Sequence, residues 1–576
     1  MIIHDIIWEK LPHLIAGLQI GFEGTPYTGL IRADLEDLTA TPKEIQEEGK
    51  VKLDNNGPWV YHRFIARDNI PGLELDLAFM NGEVENSSRT PHIFSEAITL
   101  TVPAGMALVS RMPWTEVELI DEMANRYRVT LNHALYQGSR DDLLLAIIPA
   151  EFMIEGDVHP MVMAYLSENP RLHTATTEWI DGLERHKIEF DGNYDGYEKA
   201  VMSAANAVAV DFFYNDNPRD ELHYLEVAYG GMSGGGSIRF DFGAEFDHMT
   251  PGQQYRFMHA WATEIYNRPQ RGFLSQHGEP FDVETAPANF SFVIGPEDRM
   301  FPSQYNNPYG FSEDLNTMGS QDLQHGIRWF GPDLYLAQRF GCPIAIDRIK
   351  WGASAGRADL FDAGGAVFGD EQGSALDRGW GWNAVLQAAD WHFNKTQKAY
   401  DWLVRFVDAC ARAQTIHGGI RSDSTSKEAV VYGRVFRAQQ EGVADYTTLP
   451  IEPVTQPYQE MILAYGLHMA GQVGIELPDE LLPRLFTFLG DIARPDGAFA
   501  PWYRCTIAGE RRDQYQDGFY WYSAMAMAQG VVEDEQRDRW IDAATGGSSV
   551  DPYTWLINQN PSNWNNRWHL IAQVKS

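Results

Sequence analysis

The chain has 576 residues, 44% of them apolar and 22% charged, which is too long for one hydrophobic core and too apolar for a disordered segment. Its 45 basic and 80 acidic residues leave a formal charge of −35, a field that repels phosphate backbones and argues against nucleic acid as a partner. Three cysteines, Cys342, Cys410 and Cys505, lie too far apart for a disulfide framework or a zinc cluster, and no cofactor is implied.

The first residues, MIIHDIIWEKLPHLIAGLQIGFEG, carry acidic groups and a proline inside the apolar stretch and have no basic start, so they do not read as a signal peptide. No stretch approaches the roughly 18 apolar residues of a membrane span. The expectation is a soluble chain with no membrane partner, cytoplasmic, or carried in a virion if a phage encodes it.

From Trp59 to Phe246 the pattern is mostly of period two. Leu73, Leu75, Leu77 and Phe79 alternate with Glu74, Asp76 and Ala78, and Asn81-Gly82 then supplies a hairpin-type turn. Ile98, Leu100 and Val102 alternate with Thr99 and Thr101, and Ile238, Phe240 and Phe242 with Arg239 and Asp241. Such strands have one buried and one wet face, as in an antiparallel sandwich. A short helix is expected around Thr115–Arg126.

The period changes after Thr250, where Pro251 suits a first helical turn and Tyr255, Met258, Trp261, Ala262 and Ile265 share a face. Residues 267–318 are rich in Pro, Asn and Gly and read as loops. Helices follow at 320–338, 343–354, 380–393, 397–414, 456–472, 478–493 and 517–530. The clearest is 397–414, with Tyr400, Leu403, Val404, Val407, Cys410 and Ala411 in one stripe. No strict repeat is visible, so helical hairpins closing an irregular ring fit better than a regular solenoid. The fold class read from this pattern is α+β and multidomain. An antiparallel β-sandwich region (1–190) is followed by a mixed β and loop connecting region with one helix (191–318) and an (α/α) toroid-like domain (319–576).

Two loops fail as ligand motifs. Asp191-Gly-Asn193-Tyr-Asp195-Gly196 copies half a calcium loop, but Met202 stands where the bidentate glutamate belongs. The glycine-rich run 230–237 lacks the Gly-Lys-Ser/Thr ending of a phosphate cradle and precedes a strand. No His-Glu-x-x-His or Gly-x-Ser-x-Gly occurs.

Polar residues on and between the C-terminal helices are more informative. Asp322, His325 and Arg328 share one helix face, and Asp377 and Arg378 precede Trp380 and Trp382 at the entry to the next strong helix. His417, Arg421 and Asp423 follow the 397–414 helix, and Tyr515, Asp517, Tyr520, Trp521 and Tyr522 form an aromatic cluster. In a toroid, inner helix ends and their loops line a central cleft. A β-eliminating lyase needs a cation to neutralise a uronate carboxylate and a base to take the C5 proton. Arg328 or Arg378 with His325 or Tyr515 fits those catalytic roles, with Asp322, Trp380, Trp382, Asp423 and Trp521 contacting substrate. A hydrolase needs two carboxylates instead, about 6.5–9.5 Å apart for inversion. Asp322, Asp377, Asp423 and Glu460 are the acids available.

Asp322-Leu-Gln-His325 at a helix start, with Asp377-Arg378-Gly-Trp380-Gly-Trp382, resembles the toroid portion of exo-acting rhamnogalacturonan lyases and related glycan-processing toroids. Leu-Thr-Val-Pro-Ala-Gly at 100–105 is similar to their β-domains. The resemblance implies a β-sandwich followed by an (α/α) barrel whose cleft grips uronate-containing sugar. The chain departs from that pattern in its start and in the Asn/Pro-rich stretch 301–318. The expected function is a carbohydrate-active protein that binds an acidic glycan or cleaves it in the manner of a polysaccharide lyase, with a glycoside hydrolase as the other enzyme class. The rival is a phage virion protein for structure or host attachment, keeping a glycan-enzyme scaffold without catalysis, its partners other virion components or copies of itself. A third option is a cytoplasmic enzyme acting on imported oligosaccharides.

Overall fold

The computed structural model describes residues within 17–158, 270–280, 337–361, 378–420, 435–492, 505–510 and 524–544, and every structural statement concerns those. Up to residue 158 the strands pair antiparallel. A five-stranded sheet runs in the order β2-β1-β7-β10-β9, from β1 (Leu18–Phe22), β2 (Thr28–Ile31), β7 (Ala97–Thr101), β9 (Val117–Asp121) and β10 (Arg126–Thr130). A seven-stranded sheet contains β3 (Thr39–Ala40), β4 (Glu44–Lys52), β5 (Trp59–Arg67), β6 (Leu73–Asn81), β8 (Met106–Ser110), β11 (Ser139–Pro149) and β14 (Gln270–Arg271). Its order is β14-β11-β6-β5-β4-β3, with β8 also paired to β11. Two short hairpin strands, β12 (Met153–Ile154) and β13 (Asp157–Val158), follow.

Alternation builds the core. Leu73, Leu75, Leu77 and Phe79 of β6 meet Leu18, Ile20, Phe22, Ile98 and Leu100 of the other sheet in one buried cluster. Phe22 sits edge-on to Phe79 at 5.3 Å. Each such side chain contributes roughly 1.5–3 kcal/mol by leaving water, and that shared apolar face joins the two sheets.

The helix expected around Thr115–Arg126 is instead the β9–β10 hairpin. Tyr127 and Val129 alternate into the core, a period no helix reproduces. At the turn, Asn125 takes a left-handed φ of 49°, and its amide donates to the carbonyls of Val102, Pro103 and Met106. A residue in that conformation ends a helix rather than extending it.

The polar face of β6 is not wet. Glu74 and Asp76 are buried, with Asp76 lying toward helix α1 (Pro343–Phe361) and the Arg111 guanidinium hydrogen-bonded to both. Helices α2 (Arg378–Asn394), α3 (Gln397–Ala413), α4 (Pro457–Gln472), α5 (Leu481–Asp491) and α6 (Asp534–Ala544) complete the described helical part. A two-stranded ribbon of β15 (Val454–Thr455) and β16 (Cys505–Thr506) lies beside them. The sequence places α3 and α4 within a residue or two. In α3, however, Trp402 and Phe406 join Leu403, Val407 and Cys410 in the buried stripe, while Val404 is exposed.

Helix α2 packs against α1, α3 and α4. Where α2 crosses α4 the chains touch through glycines: a Cβ on Gly381 would lie 2.4 Å from the Ile462 carbonyl oxygen, and one on Gly466 2.7 Å from that of Gly381. Among the described residues no helix is long and apolar enough to cross a membrane. Strand 238–242, the helix after Thr250, the loops at 191–196 and 230–237, and most of helices 320–338 and 517–530 lie outside the described residues.

Candidate functional site

Of the residues singled out from sequence, Asp322, His325, Arg328, Asp423, Tyr515 and Trp521 lie outside the described residues. Arg378 opens α2. Trp380 is half-buried and stacked on Trp402 at 5.9 Å, and Trp382 is 4% exposed and edge-on to Tyr465 at 6.1 Å. Both tryptophans therefore pack between helices. Cys410 and Cys505 are buried free thiols, and burial holds the Cys410 thiol well above its ordinary range.

Glu460, among the acids noted for a hydrolase, lies in the first turn of α4 after Pro457. It is 1% exposed, hydrogen-bonded to the Thr455 hydroxyl, and its Oε2 accepts the Ile420 N–H at 3.0 Å. Burial pushes its carboxyl up to about 8 although both bonds favour the charged form. At neutral pH it is mostly a protonated acid, walled off from solvent.

A set of described side chains that face open space together lies elsewhere, in a cleft of about 410 Å³ between the outer face of the seven-stranded sheet and α1. Strand parity sets its floor. Glu48 and Lys50 of β4, Tyr61 and Arg63 of β5, Asp76 of β6, and Arg140 and Asp142 of β11 occupy the positions opposite to the core-facing ones. Helical spacing sets its roof, since Ile344, Asp347, Arg348 and Trp351 fall on one face of α1. Trp351 meets Tyr61 edge-on at 5.4 Å and packs on Met80. Arg348 donates from Nη1 to Asp142 Oδ2 at 2.8 Å.

Charge is closely matched around this floor. Arg63 donates from Nε to Glu48 Oε1 at 2.7 Å, while its Nη1 and Nη2 lie 4.0 Å from Asp76 and 3.8 Å from Asp347. Burial alone would lower the Arg63 pKa, but Asp347, then Glu48 and Asp76, outweigh it and hold the guanidinium charged. Burial likewise raises Glu48, and Arg63, Gln46 and Lys350 together more than reverse that. Arg140 donates from Nε to Asp142 Oδ1 at 2.9 Å, and its Nη2 is 3.6 Å from Asp347.

A strap crosses one edge of the mouth. Gly278 takes a φ of +65° and lies so close to the Trp59 ring that a Cβ would sit 2.6 Å from it. Its carbonyl accepts the Tyr61 hydroxyl at 2.6 Å and Lys50 Nζ at 3.3 Å, and Glu279 pairs with Lys50. Among the described residues no group of three or more His, Cys, Asp and Glu is placed to hold a metal ion.

No protein-family model matches the chain, and no curated protein matches it in sequence. No local motif marks the cleft, because its residues come from strands and a helix far apart in the chain. Two signals point to it: the Arg140-Asp141-Asp142 run inside an otherwise apolar strand, and the charged Asp347 and Arg348 on the same face of α1 as Ile344 and Trp351.

Proposed function

We propose that the chain is a carbohydrate-active protein that binds an acidic glycan in the cleft between the seven-stranded sheet and α1, within a molecule whose helices form part of an (α/α) toroid. The observation that carries this reading is the lining of the 410 Å³ cleft: Arg63, Arg140 and Lys350 stand beside Glu48 and Asp347, with Tyr61 and Trp351 at the wall. Planar ionised groups pair with the hydroxyls of a sugar, cations neutralise its carboxylates, and aromatic surface covers its apolar faces. The volume falls within the roughly 300–1,000 Å³ of small-molecule sites. The helix layer, in which α2 touches three neighbours, supports the toroid part. Lyase-like cleavage belongs to the same proposal, with His325 or Tyr515 as the base.

Calorimetry with a panel of uronate and neutral oligosaccharides tests the binding, and absorbance of an unsaturated product tests cleavage. Uronate oligosaccharides should bind, and Lys350→Gln, at a half-buried cleft position, should weaken them about tenfold. No binding across the panel overturns the reading.

A further inference from the structure

The least satisfied part of the cleft is its floor. Arg140 is 1% exposed; its Nη2 lies 2.9 Å from Asp142 Oδ1 without the alignment of a hydrogen bond, and its Nη1 has no hydrogen-bond partner. A guanidinium offers five donors in a rigid fork, and burying some of them without acceptors is costly unless something else fills the place. Asp142 holds this guanidinium by one edge: its Oδ1 takes Arg140 Nε and lies 2.9 Å from Nη2, while its Oδ2 takes Arg348 Nη1.

Asp347 is the second carboxylate near this guanidinium. It stands 3.6 Å from Arg140 Nη2 and 3.8 Å from Arg63 Nη2. Both separations exceed the roughly 2.7–2.9 Å of a charge-assisted hydrogen bond. Its own side chain is 30% exposed, which leaves it room to turn away, whereas Arg140 is fixed by Asp142 beneath it. Two arginines therefore converge on a point that Asp347 reaches only at long range.

We propose that Arg63 and Arg140 form a seat for one ligand carboxylate, and that Asp347 holds this seat in the unliganded chain. The inference rests on the glycan-binding reading and adds a residue-level competition to it. An incoming carboxylate displaces Asp347 and makes the short bonds that Asp347 does not. Lys350, three residues along the same helix, is the natural partner for the displaced Asp347 side chain. Neutral sugars cannot compete for the seat, so the internal carboxylate acts as a filter for anionic ligands.

The test is calorimetric titration of the full chain with a galacturonate trisaccharide, its carboxyl-reduced neutral counterpart and inorganic phosphate. Wild type is compared with Asp347→Asn and Asp347→Ala, two variants at a partly exposed position where no hydrogen bond is lost. Both should bind the uronate about tenfold more tightly than wild type, with the neutral counterpart unchanged. Unchanged or weaker uronate binding in both variants, with wild type still binding it, refutes the seat and leaves the glycan reading standing. Equal tightening for the neutral sugar shows only relief of crowding and also refutes it. Phosphate binding as tightly as the uronate reassigns the arginines to another class of anion. If neither wild type nor the variants bind any oligosaccharide, both readings fall together.

Discussion

The β-rich half and the helical half of the molecule both bury acids, and they handle the burial in opposite ways. On the outer face of the seven-stranded sheet, Glu74 and Asp76 share the Arg111 guanidinium, and Asp142 takes Arg140 and Arg348. In the helical half, Glu460 meets only a hydroxyl and a backbone N–H, and burial raises its pKa to about 8. Asp390 stands between the two. Burial raises its carboxyl although Arg357 lies 2.9 Å away and Thr396 and Asn394 donate to it. Burial raises a carboxyl met by dipoles alone and also one met by a single cation, whereas the acids of the sheet are met by a shared layer of guanidinium groups.

The largest effect is expected where that layer is broken. Arg111→Met strips Glu74 and Asp76 of their common cation in a buried site and should cost about 3–5 kcal/mol, read as a lower urea midpoint. Replacing Arg111, Glu74 and Asp76 together by apolar residues of similar size should restore most of the loss. A cost under about 1 kcal/mol for Arg111→Met, a value typical of surface pairs, would erase the contrast between the halves.

Glu460→Gln sharpens the other side. Below its ordinary value of 4.5 the carboxyl carries a proton in both folded and unfolded chains. Between 4.5 and about 8 only the folded chain keeps the proton, so stability falls as pH rises, by up to about 1.4 kcal/mol per unit, and levels off above 8. Glutamine mimics the protonated acid and has no such proton to release. The variant should therefore match wild type near pH 4 and be more stable at pH 7, by up to roughly 3 kcal/mol. Parallel stability profiles for the two proteins from pH 4 to 9 would show that Glu460 is ionised in the fold.

These two regions also mark what the sequence reveals. Leu73, Leu75, Leu77 and Phe79 declare their face by parity alone, because the core they enter repeats with the strand. Parity says equally that Glu74 and Asp76 point away from that core, but not that both are buried on the second face, where Asp76 lines a cleft together with residues from beyond 340. Burial on the second face is a long-range fact. Helix 397–413 is legible from its spacing, while the choice of Trp402 and Phe406 over Tyr400 and Val404 depends on where neighbouring helices lie, Trp402 stacking on Trp380 and Phe406. Glu460 was visible as an acid, but its protonation depends on the 415–420 turn and on Thr455 folding over it. The cleft failed to show for the same reason, since Arg63, Arg140 and Asp347 meet only after the sheet and α1 have packed.

The α2–α4 crossing should be sensitive to added bulk. Gly381→Ala places a methyl 2.4 Å from the Ile462 carbonyl oxygen, a backbone atom that cannot rotate aside, and should cost about 1–3 kcal/mol in thermal or urea unfolding. Gly105→Ala in the β-rich half offers a control of another kind, since no atom lies within 4 Å of its added carbon and only the φ of +79° penalises it. No loss at Gly381, whose helical backbone accepts alanine, would mean that the α2–α4 approach gives way to the added methyl.

The smallest effect belongs to the rim of the cleft, where the same ion-pair chemistry meets water. Lys50 and Glu279 pair with side chains 33% and 57% exposed. Glu279→Gln should cost less than about 1 kcal/mol, and salt should shrink the difference further, because an exposed pair is screened by solvent and ions. Lys50 also donates to the Gly278 carbonyl, which takes the Tyr61 hydroxyl as well, so the strap keeps its hold on the sheet when the Glu279 charge is removed. Unfolding midpoints measured at low and high salt check this directly. A loss as large as that of Arg111→Met, insensitive to salt, would place Glu279 within the buried ionic layer and move the boundary between paired core and wet rim outward to the strap.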